Sequence, residues 1–256
     1  MNKKQWNKLL LKVAQQIHAG ESVGIIDVEM VKLHALELMK AIESGYGATL
    51  QDTDLSEKNK EVLTSLQQNV YHFSGAKNWQ QIQEMSAMLT DSNGELLPFN
   101  KFLQAVQQVD KTYNQTYLQA ENQNAVTSAQ MAEKWQQFQL QIDVLPNLRW
   151  ETAAGEHTCE LCSSLNDITL PVNHSFWKTT FVPRHFICKC NIVQEDEFVE
   201  LTDISKRKIP DTHPMFRTNT GISGVAFSDK HPYFTSMPED VKKKVFIASE
   251  NIIDKP

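Results

Sequence analysis

Apolar residues recur at helical spacing through the first half of the chain. Trp6, Leu9, Leu10, Val13 and Ile17 form one such face, which Gly20 and Gly24 interrupt. A second face carries Val31, His34, Ala35, Leu38 and Ile42 and stops near Gly45 and Gly47. Ser56 is placed to cap a third helix whose buried side holds Val62, Leu66, Val70 and Phe73, because a serine hydroxyl there accepts from an otherwise unpaired backbone N–H. Gly75 is expected to end that helix and to separate it from a shorter one bearing Trp79, Ile82 and Leu89. Asp91-Ser92-Asn93-Gly94 is turn chemistry.

Between Pro98 and Pro146 there is neither glycine nor proline. Phe102, Val106, Val109, Tyr113, Tyr117, Ala120, Met131, Trp135, Phe138 and Ile142 advance in steps of three and four, and the polar Asn124 and Thr127 lie on the same stripe. The pattern predicts one unbroken helix of roughly 43 residues, about 65 Å at 1.5 Å per residue. An element of that length serves as a scaffold, and its outer positions are rich in Gln and Asn.

After Pro146 the period changes. Leu148–Thr152, Ile168–Leu170 and Asn191–Val193 read as short strands bounded by Gly, Asn, Asp and Pro. From about residue 200 the chain is loop-rich, with Pro210, Pro214, Gly221, Gly224, Pro232 and Pro238, and it closes on a helix near 239–249. The expected class is therefore α+β: a helical N-terminal region at 1–97, a long scaffold helix at 98–144, a small β module at 145–200 and a loop-rich tail with a C-terminal helix at 201–256.

Composition adds exclusions. A net charge of −6 on 256 residues argues against a general nucleic-acid binder. Lys3, Lys4, Lys8, Lys12 and the run Lys206-Arg207-Lys208 read as solvated faces. No stretch approaches the ~20 consecutive apolar residues of a membrane span, and the first residues lack the apolar core of a signal peptide. The chain is thus expected to fold in a reducing cytoplasm, where thiols stay free or bind metal.

That matters because all four cysteines fall between 159 and 190. Cys159-Glu-Leu-Cys162 is a CxxC turn, and Pro183-Arg-His185-Phe-Ile-Cys188-Lys-Cys190 supplies an imidazole and two more thiols. Two such knuckles can surround one zinc tetrahedrally. On an extended chain Cys188 and Cys190 point to the same side. Cys159, Cys162, His185, Cys188 and Cys190 are thus five candidates for four positions around one structural zinc per chain. Plain buried thiols and disulfides are the alternatives.

No histidine is followed two places later by Glu, as a zinc deaminase needs, and His-Glu-x-x-His is absent. Four protein ligands would close the site. No catalytic residue is assigned, and the chain is read as a binding protein without a small-molecule substrate. A nucleic-acid-binding zinc ribbon fits poorly. Over 145–200 the bases Arg149, Lys178, Arg184 and Lys189 face the acids Glu151, Glu156, Glu160, Asp167, Glu195, Asp196, Glu197 and Glu200, a balance that repels phosphate. His157, His174, His213 and His231 are read as packed or solvated.

Several pieces together resemble the tailed-phage minor head proteins related to the F-like head protein of phage Mu. They are Tyr117-Leu-Gln-Ala-Glu121 with Ala125, Trp150-Glu-Thr152, Thr158-Cys159-Glu-Leu-Cys162 and Pro183-Arg-His185-Phe-Ile-Cys188-Lys-Cys190, covering about residues 100–195. The family often has Pro-Pro before the histidine and Arg between the last cysteines, where this chain has Pro183-Arg184 and Lys189; it commonly has Asp shortly before the first cysteine, where this chain reads Gly155-Glu156-His157. The resemblance implies a low-copy structural protein of head morphogenesis. Its partners would be portal and capsid proteins, with DNA inside the head as a further candidate, and it would pass from the host cytoplasm into the virion. The rival functions are a zinc-dependent nuclease or toxin delivered with phage DNA, and a zinc-ribbon regulator.

Overall fold

The computed structural model describes residues 2–153 and 160–253, and the backbone alone of Gln115. Helix α1 (Lys3–His18) begins at Asn2, whose side-chain oxygen accepts from the N–H groups of Lys4 and Gln5. It buries Trp6, Leu10, Val13, Ala14 and Ile17, the face the spacing predicts. Helix α2 (Val28–Tyr46) follows Asp27, whose carboxylate accepts from Met30 N–H at 2.9 Å. Helix α3 (Glu57–Ala87) starts as expected at Ser56, whose Oγ accepts from Asn59 N–H at 3.2 Å.

Gly75 does not end α3, which runs through it for 31 residues. The glycine answers instead to packing: a Cβ there would stand 2.1 Å from the Ser249 hydroxyl. Beyond α3 the Asp91 carboxylate accepts from the N–H groups of Asn93 and Glu95, Gly94 takes a φ of +82°, and Thr90 bridges Leu96.

The stretch after Pro98 is helical from Phe99 to Leu140, 42 residues in all, but not as one regular helix. Helix α4 (Phe99–Lys111) passes into a π-helical segment (Thr112–Tyr117) before α5 (Leu118–Leu140). At 3.6 residues per turn, positions eight apart diverge by roughly 80°. The wider π turns remove most of that divergence. Tyr113 and Glu121, eight apart, both point inward, 4% and 3% exposed.

Downstream, β1 (Asn147–Glu151), α6 (Glu160–Ser163), β2 (Thr169–Pro171), α7 (Phe176–Thr179) and β3 (Asn191–Glu195) follow in order. The strands fall within two residues of the expected segments. Then come α8 (Thr220–Ser223), α9 (Pro232–Thr235) and α10 (Glu239–Glu250), the last being the C-terminal helix foreseen in the tail. No helix among the described residues is long and apolar enough to cross a membrane.

Two compact units are assembled from discontinuous stretches. The first comprises 1–40, 67–122 and 231–256, and the second comprises 41–66 and 123–230. In the first unit Trp6 Nε1 donates to the Asp110 carboxylate at 2.7 Å, tying α1 to α4. Phe73 of α3 is met by the rings of His231, Tyr233 and Phe234, at 5.0, 5.4 and 6.2 Å.

In the second unit the strands form an antiparallel sheet in the order β2-β1-β3, with Leu148 opposite Leu170 on one side and Trp150 opposite Ile192 on the other. Its core joins Trp135 and Phe138 of α5 to Leu148, Trp150, Leu165, Ile168, Trp177 and Phe181. Two glycines permit close approach. A Cβ on Gly45 would stand 2.2 Å from the Val126 carbonyl oxygen, and one on Gly221 would stand 2.2 Å from the Trp135 Cβ.

Candidate metal centre

The sulfur atoms of Cys162, Cys188 and Cys190 lie within 4.8 Å of one another inside the second unit. Cys162 sits on α6, and its carbonyl accepts from Leu165 N–H as the chain turns back toward β2. Cys188 and Cys190 end the loop that runs into β3. A turn closes between the His185 carbonyl and Cys188 N–H, with Ile187 in the left-handed region at φ +59°. Cys162 and Cys188 are buried within the apolar cluster of the sheet, and Cys190 packs against it. Backbone N–H groups face the sulfurs too, from Arg184 to Cys188 and from Ala153 to Cys190. The three cysteines carry free thiols. Cys159, the remaining candidate, lies outside the described residues.

His185 joins the group from the other knuckle. Its Nδ1 bonds to the Phe186 carbonyl at 2.8 Å, and its Nε2 lies 3.4 Å from the Cys162 sulfur. A carbonyl only accepts, so Nδ1 carries the proton and Nε2 keeps its lone pair, the form in which imidazole binds metals. With Zn–S near 2.3 Å and Zn–N near 2.05 Å, a tetrahedral centre places two sulfurs ~3.8 Å apart and a sulfur and a nitrogen ~3.5 Å apart. The Cys162 and Cys188 sulfurs are 4.0 Å apart and the Cys162 sulfur and His185 Nε2 are 3.4 Å apart, so these two pairs match the donor spacing of the ion, while the group whose donors all lie within 4.8 Å of one another is the three sulfurs alone.

By themselves, three thiolates this close repel one another, and the protons are shared unevenly. Hydrogen bonds from Cys162 and Cys190 hold the Cys188 thiol far below its ordinary range. The same bond to Cys188 pushes Cys162 far above it. For Cys190 the contact with Cys162 is lowering, but the bond to Cys188 and burial outweigh it, and the thiol stands at about 11.

Three of the remaining histidines accept backbone N–H groups at short helical turns, and His213 and His231 are the caps of theirs. Nδ1 of His174, His213 and His231 accepts from the N–H two residues on, at Phe176, Met215 and Tyr233. His157 lies outside the described residues.

A second polar cluster, in the first unit, was not foreseen from the sequence. Lys77 of α3 donates to the Glu121 carboxylate of α5 and to His34 Nε2 of α2 at 3.0 Å. His34 Nδ1 meets Ser74 Oγ at 2.9 Å, and Tyr233 Oη reaches Glu121 at 3.5 Å. Lysine can only donate, so His34 Nε2 accepts and Nδ1 carries the proton. Burial, aided by the Lys77 charge, lowers His34 to about 4. Burial works against ionised Glu121, but Lys77 and His34 outweigh it and hold that carboxyl at about 2. Burial also lowers Lys77, against the pull of Glu121. The signal available in the sequence is that Lys77 continues the stripe Leu66-Val70-Phe73, where an apolar residue belongs.

An α+β chain whose small sheet gathers three cysteines and a histidine has the parts the resemblance calls for. A family model described as Phage Mu protein F like protein matches residues 8–193, and the chain belongs to that family. It is a phage head-related protein, of a structural and morphogenesis family. The match starts within α1, so it takes in the N-terminal helices as well as the cysteine region. No curated protein and no solved structure matches the chain.

Proposed function

We propose that this chain is a minor head protein of a phage or prophage that acts in head morphogenesis by docking on portal and capsid proteins. It does so in the host cytoplasm before becoming part of the virion head. Its work is binding, not turnover. The observation that carries the reading is the family match across 8–193. The helices of 1–97 and the helical segments between Phe99 and Leu140 supply the docking surfaces, and 145–200 is a metal-bearing module that the tail of 201–256 follows in sequence.

Within that module one structural zinc is held by Cys162, Cys188 and Cys190, with His185 or Cys159 as the fourth ligand. The support is the donor spacing and the imidazole tautomer. When bound, zinc supplies a cross-link whose binding energy, on the order of 10 kcal/mol, becomes folding energy. Four protein ligands leave no position open for a reacting water. The chain's own part is to present α6 and the 183–190 loop to each other across the sheet.

The portal protein of the same genome, co-expressed under assembly conditions, is expected to co-purify with this chain; repeated failure removes the docking reading. Metal analysis should find about one zinc per chain. Cys159→Ser/Cys162→Ser should abolish it, and Cys159→Ser alone decides between His185 and Cys159. Purified chain free of zinc under reducing conditions removes the metal reading.

A further inference from the structure

We infer that this chain associates head to tail with a second copy of itself, the lysine face of α1 on one copy meeting an apolar, acidic end of the sheet on the other. The contact needs no portal protein and is tested on the chain alone.

Helix α1 buries Trp6, Leu10, Val13, Ala14 and Ile17 and turns its opposite side to solvent. Lys4, Lys8 and Lys12 lie on that side, four apart, in a row of about 12 Å at 1.5 Å per residue. Leu11 is exposed on the same side. No acid precedes Glu21, so the helix carries only positive charge in a chain whose net charge is −6. Lys12 reaches Asp27 at 3.5 Å, whereas Lys4 and Lys8 have no ion-pair partner among the described residues.

The opposite charge gathers where β1 begins and β3 ends. Gln194 donates to the carbonyls of Phe138 and Leu145, both at 3.0 Å, and Asn147 donates to the Asp196 carbonyl at 2.7 Å. These bonds bring the end of α5, the turn after it and the turn after β3 to one end of the sheet. The joined segments hold Leu140, Val144 and Phe198, which are 78%, 75% and 87% exposed. They also carry the exposed acids Asp143, Asp196, Glu197 and Glu200, none of which has an ion-pair partner among the described residues.

Large apolar side chains gathered on a surface mark an interaction site, and unpaired acids beside them select a basic partner. Helix α1 of another copy supplies one: three lysines in a row with an apolar side chain beside them. Two α1 helices, or two acidic ends, would set like charges together, so the contact is heterologous. Such a contact closes into a ring or runs on as an open chain of subunits.

The test is sedimentation velocity of the full chain over a range of concentrations, under reducing conditions. At low salt the mean mass is expected to rise with concentration. Salt at about 1 M should reduce the association, because screening then acts within ~3 Å. Lys4→Glu/Lys8→Glu and Glu197→Lys/Glu200→Lys should each weaken it at least about tenfold, since attraction becomes repulsion. Mixed in equal amounts, these two variants should associate again, because one keeps the acidic end and the other the lysine face. Phe198→Ser, which alters no charge, should weaken association as well. A parent chain that stays monomeric up to about 100 µM overturns the inference. So does association that either charge reversal or Phe198→Ser leaves unchanged, or a mixture of the two reversed variants that remains monomeric.

Discussion

Lys77 of α3 and Glu121 of α5 form an ion pair in which the two side chains are 2% and 3% exposed. Around it, His34 accepts from Lys77, and Tyr233 reaches the other carboxylate oxygen. Charges so far from water are costly to bury and tolerable only together. Lys77→Met or Glu121→Gln alone should each cost about 3–5 kcal/mol, because each strands the other charge. Lys77→Met/Glu121→Leu should be much closer to the parent. Urea unfolding of the four proteins checks this; additive losses in the double variant would show that the pair is not coupled.

His34 sets a pH dependence on the same unit. Its folded value, about 4, lies below the ordinary 6.5. Between those values the unfolded chain takes up a proton that the folded chain refuses, so stability falls as pH drops through 6.5 to 4 and then levels for this group. The interval corresponds to about 3 kcal/mol at 1.36 kcal/mol per pH unit. Glu121, depressed to about 2, adds its own loss between about 4.5 and 2. His34→Gln should flatten the first limb and leave the second. A parent chain with equal denaturant midpoints at pH 6.5 and pH 4.5 would contradict the burial of neutral His34.

Gly221 and Gly45 should not tolerate a methyl group. A Cβ would stand 2.2 Å from the Trp135 Cβ in the first case and 2.2 Å from a backbone oxygen in the second. Gly221→Ala and Gly45→Ala are expected to cost at least about 1–3 kcal/mol each by overpacking. Gly94, where an added Cβ would meet nothing within 4 Å but φ is +82°, should lose only about 1 kcal/mol as Ala, through backbone strain. Thermal unfolding of the three variants checks the ranking.

Metal removal should act locally. Incubation with a strong chelator, or Cys188→Ser, is expected to open residues 145–200 to limited proteolysis before other parts of the chain are cut, since a structural zinc is folding energy for its own module. Mass mapping of the first cleavage products decides. Early cuts confined to other segments would mean the sheet stands without the ion.

Much of the fold was legible because helices and strands announce themselves by period. The faces of α1 and α2, the cap at Ser56, the turn at Asp91–Gly94 and all three strands follow from residues close in sequence. Gly75 misled because a glycine that ends a helix and one that admits a neighbour look alike; Ser249, which explains it, is 174 positions away. The long stripe through Tyr113 misled for a related reason. Steps of three and four do not reveal where a turn widens.

The amino-acid sequence by itself determined the class of the fold, the kinship of the chain and the cysteines and histidine available to a metal. Each of these is carried by local period or by motif spacing. Only the tertiary structure decided that Cys162, Cys188 and Cys190 share one small volume, that His185 turns its unprotonated nitrogen toward Cys162, and that Arg184, Lys77, Glu121 and His34 are buried. Burial and charge pairing depend on what packs against a residue from distant parts of the chain, and no short-range pattern encodes that.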